Sequence, residues 1–164
     1  MQTREVKAVI ESLIDVHDQL YALAVNKLEA IKIGDHHAVN ELVIQEKPLI
    51  ESLARLESQR EQLIKQSALE INMGERVSFS EWITLVSMNE EDKAMWDALH
   101  LRLAESVFNL KQANDLNQEM LRQSLQWIRL NLNLLQKKPK FSNYNKPSRR
   151  SAYQPTLSRI DSRA

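Results

Sequence analysis

The sequence predicts an all-α fold: an elongated antiparallel helical bundle, or coiled coil, of three long helices and one short helix, followed by a disordered C-terminal tail. Three observations carry this expectation. Only 2 glycines and 4 prolines interrupt 164 residues, and chains this poor in breakers and rich in Leu, Ala, Glu, Gln and Lys form long helices. Apolar residues recur at alternating spacings of four and three, the heptad seam of packed helices. The two glycines, Gly34 and Gly74, fall where the periodic segments stop.

The first helix is expected over residues 3–33. Its seam is Val6, Ile10, Leu13, His17, Leu20, Ala24, Lys27 and Ile31, with His17 as a half-buried polar spacer. Gly34 suits a left-handed C-cap and Asp35 an N-cap for the second helix, residues 36–71. So short a turn between helices of this length makes them antiparallel. Within the second seam Glu46 and Arg60 interrupt the aliphatic run. Pro48 lacks an N–H and clashes with the preceding turn, so a kink or restart is expected there. Ser78 and Glu81 have capping-box spacing ahead of the short third helix, "FSEWITLV". The fourth helix spans residues 90–136, with Asn89 and Asp92 at its start. Its seam runs Trp96, Leu99, Leu103, Val107, Leu110, Asn114, Asn117, Leu121, Ser124, Ile128, Asn131 and Leu135. The first five are apolar; the rest alternate amide, hydroxyl and aliphatic groups. The domain boundary is placed at 136/137, with residues 1–136 helical and residues 137–164 a basic tail.

Composition excludes several function classes. There is no cysteine, hence no disulfide framework and no thiolate chemistry. The charged N-terminal stretch has no signal-peptide apolar region, and no run of about 18 apolar residues occurs to insert in a membrane. Two glycines cannot build a phosphate loop. A four-helix carboxylate metal site needs Glu-x-x-His on two helices; the nearest match is a single Asp97-x-x-His100. No catalytic residues, metal or cofactor are therefore expected. The net charge of zero hides a division: residues 1–136 hold 14 basic and 21 acidic residues, whereas residues 137–164 hold 8 basic and 1 acidic. The tail interleaves Phe141 and Tyr144 with lysines, a pattern compatible with nucleic acid. It lacks a base-reading fold and equally fits attraction to an acidic protein, so nucleic acid is not the favoured partner.

The puzzle lies in "KQANDLNQEMLRQSLQWI", residues 111–128. Asn114 and Asn117 share a side with the apolar stripe. A seam asparagine can fix register at a cost in stability. Alternatively, this half of the helix is an open groove for another protein's helix, kept soluble by its polar interruptions. The expected groove comprises Asn114, Asn117, Leu121, Ser124, Leu125, Ile128, Leu132 and Leu135, with the closed bundle ending near Leu110.

The chain resembles the FlgN-type flagellar type III export chaperones. The likeness rests on three features: the long-helix, Gly-Asp turn, long-helix form of residues 20–60; "ANDLNQEMLRQSLQWI", similar to the family's Asn-x-x-Asn-x-x-Leu-Leu-x-x-Ser-Leu pattern; and a tail with Tyr144-Asn145 and the ending "SRIDSRA". The resemblance implies a cytoplasmic, non-enzymatic, helical chaperone. It implies binding to the C-terminal helices of the hook–filament junction proteins FlgK and FlgL, and delivery to the export gate protein FlhA. Tyr144 and Asn145 align with the family's partner-contacting pair, although Lys146, Pro147 and Ser148 stand where relatives often place a glycine. An uncovered groove can self-pair, so a homodimer is expected in the absence of substrate. The alternative from the residues alone is a coiled-coil scaffold or adaptor without a secretion role.

Overall fold

The computed structural model describes residues 2–71 and 77–136. They form four helices: α1 Gln2–Ile33, α2 His36–Glu70, α3 Phe79–Val86 and α4 Glu90–Gln136. No strand occurs among the described residues, and no described helix is long and apolar enough to cross a membrane. Contacts divide the chain at residue 128/129. Residues up to Ile128 are considered first, and the end of α4 by itself below.

α1 is the centre of the packing because every hydrophobic position of its seam is buried: Val6, Ile10, Leu13, Leu20, Ala24 and Ile31. His17 is fully buried rather than a half-buried spacer. Its Nδ1 donates to the Leu13 carbonyl at 2.7 Å, which satisfies the ring within its own helix. α1 stops at Gly34, whose φ of 71° is left-handed, and the turn closes with Gly34 N–H donating to Ile31 O and Asp35 N–H to Ala30 O. The Asp35 carboxylate then accepts from the Ala38 N–H and caps α2. The two-residue break folds α2 back antiparallel to α1. Lys27 and Glu46 lock this pairing: the ammonium meets both carboxylate oxygens, one at 2.7 Å, with both side chains largely covered. The charged interruption of the α2 seam is thus a cross-helix partner for the charged interruption of α1.

α2 runs unbroken through Pro48, with no restart. The proline is exposed, so the carbonyl it leaves without an N–H partner faces water, where the loss is small. α3 carries the expected capping box: the Ser78 hydroxyl accepts from the Glu81 N–H, and the Glu81 carboxylate accepts from the Ser78 N–H. It drives Trp82 and Ile83 into a core with Val6, Ile10, Ile14, Ile64 and Trp96. Trp82 meets Trp96 edge-on at 5.1 Å, and Phe79 meets His100 edge-on at 5.1 Å. His100, half of the nearest metal-like motif, is therefore an aromatic packing partner.

α4 runs parallel to α1 in near-constant register. Lys7 Nζ reaches Met95 Sδ, 88 positions away, and Asn117 reaches Ala24, 93 positions away. The expected seam slips by one residue at Val107. Ser106 is buried instead, its hydroxyl donating to Leu103 O at 2.9 Å, and Val107 is 43% exposed. A small side chain here lets α4 lie close to its neighbours.

Two outcomes follow. Ile10→Ala empties a fully buried position and lowers unfolding free energy by about 2–5 kcal/mol in a urea titration. The capping bond holds the Glu81 carboxyl below its ordinary range, with the Ser78 backbone N–H as the main cause and its hydroxyl next. Because the folded pKa is depressed, this contribution is complete above the ordinary carboxylate range and disappears as pH falls through the folded value. Wild type therefore loses α3 packing, followed by Trp82 and Trp96 fluorescence, more steeply on acidification than Glu81→Gln.

Candidate functional site

Between residues 114 and 128, α4 turns two amides and a hydroxyl toward its neighbours while several of its large apolar side chains face water. Asn117 is 3% exposed, and its Nδ2 donates to the Ala24 carbonyl of α1 at 2.9 Å. Asn114, one turn earlier, is half-buried, as is Ser124. By contrast Leu121 is 42%, Ile128 43% and Leu125 55% exposed. Cover by α1 thus reaches Asn117, about two turns past the expected end of the closed bundle at Leu110. Asn117 belongs to the covered interface in this conformation and not to an open face. Its Oδ1 is buried without a hydrogen-bond partner, an arrangement that costs about 1–3 kcal/mol. An amide is a register device here, since only one alignment of α4 on α1 satisfies its N–H.

Immediately below Asn117 the two helices open into a groove of about 570 Å³. One wall is the tip of the α1–α2 hairpin: Ile31, Ile33, His36 and Val39. The other is α4: Met120, Leu121, Ser124, Trp127 and Ile128. Three of the expected groove residues, Leu121, Ser124 and Ile128, are brought together there. Leu125 is not among its walls. Helix geometry explains this: Leu125 and Trp127 project about 160° apart around α4, and the groove lies on the Trp127 side. Leu125 is expected in the groove as an aliphatic residue beside the seam; Met120, Trp127 and the hairpin tip are not among the expected groove residues. Trp127, at 69% exposure, and Ile33, at 78%, are large apolar side chains left in water at the groove mouth, and exposed apolar groups gathered in this way mark a contact surface.

The groove's electrostatics are simple. Among the described residues no acid walls it; Lys32, His36 and Gln123 supply its polar groups beside Ser124. On the neighbouring turn of α4, Glu119 is held by Arg122 Nε and Nη2 and by Gln123 Nε2 at 2.8–2.9 Å. These bonds, that from Arg122 foremost, bring its carboxyl down to about 2. Among the described residues no group of three or more His, Asp or Glu comes together as a metal site would require.

The last turns of α4, residues 129–136, fall in the second unit. There Leu132 and Leu135 are exposed, and a shallow depression is walled by Leu130, Asn133, Leu134 and Gln136. Tyr144 and Asn145, with the rest of the basic tail, lie outside the described residues.

Comparison with known proteins gives one family match: the FlgN protein family, over residues 1–152. An uncharacterized protein, YvyG of Bacillus subtilis strain 168, is 27% identical over 143 residues, which are 85% of this chain and 86% of that protein. No solved structure matches the chain.

Asn117→Leu removes the orphan acceptor and raises unfolding free energy by about 1 kcal/mol. Asn117→Asp places a charge at the same buried point and lowers it. Chemical denaturation of the two variants beside wild type checks both signs.

Proposed function

The chain belongs to the FlgN family, and from that premise we propose that it covers the C-terminal helices of the junction proteins FlgK and FlgL in the cytoplasm, keeps them unassembled, and delivers them to the export gate protein FlhA. Members of the family are flagellar export chaperones rather than enzymes, and they bind flagellar proteins. The observation that carries the finer reading is the inverted polarity of α4: below Asn117 its aliphatic and aromatic side chains face water beside an apolar groove.

The physical logic runs from burial to protection. An export substrate that ends in an amphipathic helix pairs only after secretion, and in the cytoplasm its apolar face associates early or is degraded. Covering Leu, Ile and Trp side chains on both partners gains roughly 1.5–3 kcal/mol for each fully buried residue. Only part of that survives the cost of ordering two chains, which suits a complex that must later release its cargo. In this reading the substrate helix meets Leu121, Ser124, Trp127 and Ile128, with Leu125, Leu132 and Leu135 as further apolar contacts along α4. Asn114 and Asn117 fix the alignment of the helix that presents them. Tyr144 and Asn145 of the tail contact the partner or the gate. A second copy takes the substrate's place when none is present.

The test is co-expression with the C-terminal segment of a junction protein, followed by size-exclusion chromatography. Wild type co-elutes with the segment. Leu121→Asp with Ile128→Asp abolishes co-elution, and Trp127→Ala weakens it, while circular dichroism shows unchanged helicity for both. Loss of helicity together with binding would mark these residues as internal packing and defeat the site assignment.

A further inference from the structure

We infer that the segment seated in this groove is an amphipathic helix that carries carboxylates along the flank meeting Lys32 and His36; this deepens the chaperone reading and rests on it. The first ground is charge. Over residues 1–136 acids outnumber bases by 21 to 14, yet among the described residues no Asp or Glu walls the groove, whose polar groups are a lysine, an imidazole, an amide and a hydroxyl. Each of these can donate a hydrogen bond. The Lys32 ammonium rests on Glu29 at 2.7 Å, but both side chains are exposed. Surface pairs of this kind are weak, so Lys32 turns to an incoming carboxylate at little cost.

The second ground is the orientation of α2. His36 is its first residue, and its first turn holds no acidic side chain. The start of α2 thus borders the groove beside Lys32, with Asp35 as its cap. The nearby acid, Asp35, is engaged with the Ala38 N–H.

The third ground is shape. Ile33, where α1 ends, lines one groove with Met120, Leu121, Trp127 and Ile128 of α4. A helix entering the groove takes up the line that α1 leaves at its C-terminus. It meets Ile31, Ile33 and Val39 on one side and Met120, Leu121 and Trp127 on the other. A second copy offering its own α4 stripe would bring a Glu119 already held by Arg122 and Gln123, so a chain with unpaired carboxylates suits Lys32 better.

The experiment titrates the full-length protein by isothermal calorimetry with two synthetic helical peptides. Both carry the same Leu/Ile heptads; one is flanked by Glu and the other by Lys. The Glu-flanked peptide binds about two- to fivefold tighter, and the margin narrows in 0.5 M salt as the charges are screened. The double variant Lys32→Glu, His36→Glu reverses the order of the two peptides. Equal affinities, a preference for the Lys-flanked peptide, or failure of both to bind overturns the inference. A preference for Glu that persists in the double variant assigns it to the basic tail and overturns it as well. Failure of the chaperone reading is read separately, as loss of wild-type co-elution with the junction-protein segment.

Discussion

A single amide–carbonyl bond, Asn117 to Ala24, organises the working end of this protein. It joins two helices 93 positions apart in the chain at the last point where α4 is closely covered. Above it, α1 is enclosed by α2, α3 and α4 around the Trp82–Trp96 core. Below it, the α1–α2 tip and α4 separate, and the side chains that would have packed between them line a groove. A leucine at position 117 could sit against α1 in more than one axial alignment. An asparagine with one partner carbonyl cannot, and the placement of Leu121, Trp127 and Ile128 relative to the hairpin tip follows from that choice.

Polar groups do comparable work at the other seams. Lys27 and Glu46 interrupt two aliphatic stripes at points that meet, so each charge is neutralised by the other and the antiparallel pairing of α1 and α2 acquires a unique offset. Ser106 replaces a bulkier aliphatic at a close approach and satisfies itself on its own helix. His17 does the same within α1. The recurring pattern is a long hydrophobic contact with a few polar positions, each satisfied in only one arrangement.

The helices were legible because their signals are local: glycine at Gly34, the Ser78–Glu81 capping box, and 3.5-residue periodicity between them. The extents of α3 and α4 coincide with those expected, and α1 and α2 differ by one residue at an end. What could not be read locally was rotation about the long axis of α4. Over 47 residues a small difference between a 3.5 and a 3.6 repeat turns a helix appreciably. The slip from Val107 to Ser106 is such a local rotation, and the seam is back in its expected place at Asn117 and Ser124. Met120 and Trp127 were missed because they stand outside that seam, and the hairpin tip because it is brought to α4 by tertiary packing alone. At Pro48 the helix does not restart, and the proline lies on an exposed face, which sequence does not state.

The parallel alignment of α1 and α4 also bears on how the chain folds. The α1–α2 hairpin is joined by a two-residue turn and needs almost no loop closure, whereas α4 finds α1 across about 90 intervening residues. Non-local pairing of this kind bears the larger entropic penalty and forms later. A nascent chain therefore has its first hairpin made, with one side of the α1 seam still bare, before α4 has left the ribosome. In that interval the seam of α1 is itself an unshielded helix face, and α4 is the partner that covers it.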